Sequence, residues 1–115
     1  MPLIRLQTSE PVPQEKCKEL LAALSKIASE TIGKPEQYVM VALASGPVLM
    51  SGREGPAAFA DVRSIGGLSG NVNRQLAQKI CALLDASLGI ASNRVFINFT
   101  DIPASHWGWN GSTFG

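Results

Sequence analysis

Charge is scarce in this sequence. Only 17% of its 115 residues are Asp, Glu, Lys or Arg, and the formal net charge is +1, where soluble domains average about 25% charged residues. A chain so weakly charged carries no electrostatic footprint for nucleic acid or an anionic membrane. Long apolar runs are also missing. The longest, Tyr38 to Ala44, falls well short of the roughly 18–20 residues a membrane span needs. Met1 to Gln7 has no basic stretch leading into a long apolar segment, so no secretory signal is read there and the cytoplasm is the expected location, non-classical secretion aside. There are two cysteines, Cys17 and Cys81. With no Cys-x-x-Cys spacing, they read as buried reduced thiols. A single histidine, His106, has no partner set for a metal site, so neither metal nor cofactor is expected.

What the sequence does have is apolar residues: 45% of the chain, with 11 glycines besides. That balance excludes a disordered chain. The length fits one domain, 1–115. The apolar excess hints at surface buried against another subunit.

One offset recurs along the chain, the 56 residues that separate Gly33 from Gly89. At that offset Leu20 matches Leu76, Leu24 matches Ile80, Ile32 matches Leu88, Val39 matches Val95 and Val41 matches Ile97. The chain reads as two copies of one unit, about 1–55 and 56–100, with a tail over 101–115. Each copy predicts strand, helix, strand. Pro2 to Thr8 alternates as a half-buried strand. A helix follows Pro13, with Pro13 in its first turn, and is capped by Gly33 ahead of Pro35. Tyr38 to Leu43 is the second strand. Phe59 to Ile65, a helix from about Asn71 to Leu88, and Arg94 to Phe99 repeat the pattern. Right-handed crossovers then place both helices on one face of a four-stranded sheet, an α/β arrangement of α+β sandwich type. The other face, expected to be apolar, is left for a partner subunit. The tail, with Trp107, Trp109 and Phe114, is too aromatic for a solvated end and is expected to pack on a neighbour.

Several residues admit a chemical reading beside a structural one. Pro2 follows the initiator Met, which is generally removed before a small residue. The chain would then start with a secondary amine, and a neutral amine near pH 7 is a general base; alternatively Pro2 only opens a strand. Lys34 either complements a helix end or grips a substrate carboxylate. Asn98 interrupts an apolar strand, and its amide needs partners in either a ligand or the backbone. Tyr38, Phe96, Trp107, Trp109 and Phe114 are core or interface residues, or line a slot for an aromatic ligand. The glycine-rich stretch after Arg63 is a weak phosphate-loop candidate that lacks the full P-loop pattern. No Ser-His-Asp or Cys-His set is evident.

In order along the chain, Met1-Pro2, Gly33-Lys34-Pro35-Glu36-Gln37-Tyr38, Ser64-Ile65-Gly66, Asn73-Arg74, Asn93 to Asn98 and Gly108 to Phe114 resemble the macrophage migration inhibitory factor family of the tautomerase superfamily. The resemblance covers almost the whole chain. It implies a homotrimer of double βαβ subunits with active sites at the interfaces. It also implies keto–enol tautomerisation of small aromatic α-keto acids such as phenylpyruvate, without a cofactor. By matched position, Pro2 is the catalytic proline. Lys34 and the Ile65 backbone contact the substrate carboxylate, and Asn98 reaches in from a neighbouring subunit. Tyr38, Trp109 and Phe114 wall the pocket, with Ser64 flanking it. The sequence departs from vertebrate members at three pocket positions: Phe96 replaces a tyrosine, Trp107 a smaller residue and Arg63 a histidine. The vertebrate Cys-x-x-Cys reads Pro56 to Ala60 here, which removes thiol oxidoreductase chemistry. Two other readings stay open: a cytokine-like signalling or binding protein with a vestigial pocket and an undetermined receptor, or another superfamily reaction such as decarboxylation or hydration of an unsaturated acid.

Overall fold

The computed structural model describes residues 1–115. Strand β1 spans Pro2–Thr8, helix α1 Gln14–Ile32 and strand β2 Met40–Ser45. Strand β3 spans Ala58–Ser64, helix α2 Gly70–Leu88 and strand β4 Val95–Asp101. A short hairpin of β5 (Gly108–Trp109) and β6 (Ser112–Thr113) ends the chain. The repeat is reproduced in the backbone. β1 and β3, α1 and α2, and the single 3-10 turns at Glu36–Tyr38 and Ser92–Arg94 all occupy equivalent positions at the Gly33-to-Gly89 offset.

The sheet order is β2-β1-β3-β4. Within each unit the strands are parallel, and the units meet through antiparallel β1 and β3. Arg5 lies opposite Asp61 at the centre of that pairing. They are repeat equivalents, so the pseudo-twofold axis passes between them.

Both helices cover the same face, as each unit's right-handed crossover requires. Leu20, Leu24, Ala28 and Ile32 form the buried stripe of α1, and Leu76, Ile80 and Leu84 that of α2. They close over Ile4 and Leu6 of β1 and Ala60 and Val62 of β3, all without solvent exposure. Gly33 (φ 80°) and Gly89 (φ 66°) end the two helices in the left-handed conformation, where a side chain would be strained. Pro13 is the residue before the α1 helix and not part of its first turn; its carbonyl accepts the first helical bond, from Cys17 N at 2.9 Å. Both cysteines are free and half-buried rather than buried.

The uncovered face is less apolar than the sequence suggests. Leu3, Met40, Phe59 and Phe96 are on it, and so are Arg5, Asp61, Arg63, Asn98 and Thr100, at matching registers. The polar residues are tied together. Arg63 Nε pairs with Asp61 Oδ2 at 3.0 Å, and Asn98 Nδ2 donates to Asp61 Oδ1 at 2.8 Å and Thr100 Oγ1 at 2.7 Å. These bonds satisfy a carboxylate that the sheet has largely withdrawn from water.

Candidate active site

β1 brings the chain terminus to one end of the sheet, beside Ser64 and the last turn of α1. There the residues from Met1 to Leu3, Gln37 to Met40 and the terminal hairpin enclose a cleft of about 650 Å³. Tyr38, Trp107, Trp109 and Phe114 form most of its aromatic wall. The hairpin owes its shape to Asn110 and Gly111, both at positive φ (52° and 78°), a pair suited to a two-residue turn between strands. Trp109 and Phe114 stack at 5.9 Å, and Phe114 N donates to Trp107 O at 3.1 Å. The tail therefore folds back on its own subunit to build the cleft.

A second hollow of about 400 Å³ opens on the other side of Met1 and is lined by Lys34, Pro35, Ile65 and Ala104. Met1, Tyr38 and Phe114 line both spaces, so Met1 lies at the boundary between the aromatic cleft and the hollow that Lys34 lines. Pro2 behind it is fully buried. Lys34 has no ion-pair partner and donates no side-chain hydrogen bond. The backbone around it is fixed by Ser29, whose Oγ donates to Lys34 O at 2.6 Å and whose carbonyl accepts from Gly33 N and Lys34 N. Gly67 allows the chain to pass close by: a Cβ there would come within 2.7 Å of Ile32 and 3.4 Å of Lys34 Cε. Burial, and next the charge of Lys34, lower the pKa of the terminal amine below its ordinary value, since both disfavour the ammonium form.

The family model described as Macrophage migration inhibitory factor (MIF) matches residues 1–115. The chain belongs to the macrophage migration inhibitory factor family. A macrophage migration inhibitory factor homolog from Trichuris trichiura is 39% identical over 116 residues, covering 99% of this chain and 100% of that protein. The homolog from Brugia malayi is 37% identical over 117 residues, with 100% of both chains covered. Among solved structures, the homologue from Prochlorococcus marinus is 41% identical, with a TM-score of 0.93 over 98% of this chain and 99% of that one.

With membership of that family comes the tautomerase-superfamily fold, and the remaining site residues can be placed on it. Pro2, Lys34, Ile65, Tyr38, Trp107, Trp109 and Phe114 converge around the terminus within one subunit. Ser64 lies beneath it, buried, with its hydroxyl committed to Gly66 O at 2.7 Å; it shapes the turn and offers no free donor. The glycine stretch is not a phosphate loop. Gly66 N donates to Asp101 Oδ1 at 2.9 Å, and Ser69 caps α2 by accepting from Val72 N. Asn98 and Phe96 do not reach the cleft of their own subunit. Asn98 pairs in register with Asp61, three residues along β3 from the Pro2 partner Ser64, and Phe96 lies further away, beside Phe59. Met1, Leu3, Gln37 and Met40 line the cleft although the site reading omitted them. The sequence signals for the last three were their positions next to Pro2 and Tyr38.

Proposed function

We propose that this protein is a keto–enol tautomerase of α-keto acids such as phenylpyruvate, with the Pro2 amine as general base once Met1 has been removed. The observation that carries this reading is the placement of the chain terminus. It lies between an aromatic cleft and an unpaired lysine, surroundings that already bias the Met1 amine toward the neutral form. While Met1 is attached, the Pro2 nitrogen is an amide without basicity. Its removal joins the two spaces and leaves a secondary amine at their junction.

In the keto-to-enol direction the amine takes a proton from the carbon beside the carbonyl. The C–H electrons form the C=C bond, and the prolinium returns its proton to the carbonyl oxygen, whose C=O π electrons become the new O–H bond; in the reverse direction the amine takes the hydroxyl proton and delivers it to carbon. Lys34 binds the carboxylate and stabilises the negative charge that spreads onto the enolate. The aromatic wall holds the ring and excludes water, which keeps the amine neutral. Three copies assemble in this reading. Each places Asn98 and Phe96 at a neighbour's cleft, and because the Asn98 amide nitrogen is engaged with Asp61 and Thr100, its carbonyl oxygen is left to accept from the enol hydroxyl.

The test is turnover of phenylpyruvate by protein whose Met1 removal has been verified by intact mass. Pro2→Gly is expected to lose about a hundredfold or more in kcat/KM, the scale of a positioned general base. Full activity in a sample that retains Met1 would overturn the proposal. Sedimentation is expected to show a trimer; a monomer at all concentrations would remove the neighbour's contribution.

A further inference from the structure

Beside the aromatic cleft lies a smaller hollow of about 280 Å³, lined by Leu3, Arg63, Ile102, His106, Trp107 and Gly108. It shares Leu3, Trp107 and Gly108 with the cleft, so one thin wall separates them. Leu3 and Arg63 are directly paired across β1 and β3, which puts their Cβ atoms about 5 Å apart. Lys34 approaches the terminal amine from the other side, through the hollow with Ile65. Lys34 and Arg63 therefore line separate hollows on either side of the aromatic cleft.

Within one subunit the basic side chains lining this hollow keep unpaired nitrogens. Arg63 uses only Nε in its pair with Asp61, and neither terminal guanidinium nitrogen has a partner in the chain. His106 interacts through Nδ1 with Ser105 Oγ at 3.1 Å, which leaves Nε2 free. The charge balance also favours an anion. Of the nearby carboxylates, Asp61 is neutralised by Arg63 and accepts a hydrogen bond from Asn98, Asp101 accepts from Gly66 N, and Arg5 stands opposite Asp61 without an ion-pair partner. A guanidinium fork open at its ends matches a carboxylate in bidentate geometry.

We infer that Arg63 and His106 form a second carboxylate-binding subsite next to the aromatic cleft, which selects α-keto acids bearing a second acidic group beyond the ring. This inference rests on the proposed tautomerase reading of the cleft and specifies its substrate class. The α-keto carboxylate goes to Lys34, the reacting carbon lies at the amine, and the distal carboxylate passes Trp107 to reach Arg63.

The experiment compares 4-carboxyphenylpyruvate with phenylpyruvate on the Met1-processed protein. Binding is followed by quenching of tryptophan fluorescence, and turnover is measured separately. The wild type is expected to favour the carboxylated compound. Arg63→Gln is expected to reduce that preference about tenfold in both affinity and kcat/KM, the worth of one charge-assisted contact. Arg63→Lys should restore part of it, and Asp61→Asn, which breaks the ion pair but keeps the guanidinium, should leave the preference standing. His106→Gln should cost less than Arg63→Gln. A preference that Arg63→Gln does not change, or that Asp61→Asn abolishes equally, overturns the subsite. Both the fluorescence and the turnover measurements are also made on Pro2→Gly. Turnover retained there refutes the general-base reading, whereas an unaltered binding preference in Arg63→Gln refutes the subsite alone.

Discussion

The two βαβ units have the same backbone and only one of them carries the proposed site. The repeat equivalents of Pro2, Lys34 and Tyr38 are Ala58, Ile90 and Arg94. Pro2 stands next to the chain terminus, whereas Ala58 is an interior residue with an ordinary amide on either side, so the second unit has no amine to offer. Lys34 follows the helix cap and keeps its ammonium unpaired beside the cleft. Ile90, in the same place after Gly89, is fully buried and belongs to the core. Tyr38 lines the cleft, while Arg94 turns its guanidinium onto the carbonyls of Met50, Arg53, Glu54, Gly55 and Pro56 and secures the loop that joins the two units. A duplicated fold does not duplicate a proposed site whose base would exist only at one chain end.

That division of labour can be broken position by position. Ile90→Ala is expected to destabilise the fold by about 2–5 kcal/mol, as other buried aliphatic truncations do, measured by chemical denaturation. If it cost no more than Lys34→Ala, the contrast between the two positions would be lost. Arg94→Met should come next, with a loss of about 1–3 kcal/mol from carbonyls left without their charged donor. Protease cleavage within residues 50–56 should increase with it; an unchanged cleavage rate would deny Arg94 its role at the loop.

Lys34→Ala should leave the denaturation midpoint nearly unmoved and lower kcat/KM for phenylpyruvate about tenfold, the worth of one charged contact to the carboxylate. Its pH profile sharpens the contrast further. Burial and then the lysine charge lower the pKa of the Met1 amine; the same cation should disfavour the ammonium form of the Pro2 amine that replaces it, so the rate should rise with pH and level off below the ordinary amine range in the wild type. Without Lys34 the ammonium form is less disfavoured, and the rising limb should move to higher pH. A limb that stays in place would mean that the titrating group is not this amine. The smallest effect separates nothing between the units: Gly33→Ala and Gly89→Ala should each cost about 1 kcal/mol by denaturation, because both caps hold positive φ and neither has a close neighbour to clash with. Unequal costs would show that the repeat is less exact at the caps than its dihedral angles suggest.

Much of this was legible in the order of residues. Alternation marked β1 at Pro2–Thr8, helical spacing marked the stripes of α1 and α2, the cap Gly33 followed from glycine ahead of Pro35, and the cap Gly89 from its repeat position, because these are patterns set by backbone sterics and burial. The terminal hairpin around Asn110-Gly111 was not read, because the aromatics of the tail pointed instead to a neighbouring subunit. Nor was the polar row on the open face, since nothing local tells Asp61 that Arg63 and Asn98 will be within hydrogen-bond reach.

By itself, the sequence determined the repeat, the helix faces and the residue types available for chemistry, because each depends on interactions within a few positions along the chain. Tertiary structure alone decided that β1 and β3 meet antiparallel, that Met1 stands between the aromatic cleft and Lys34, and that Ser64 is consumed by its own turn. It also brought Arg63 and His106 to the far side of Leu3. Those facts depend on contacts between residues remote in sequence, and only the closed sheet with its helices and hairpin brings them together.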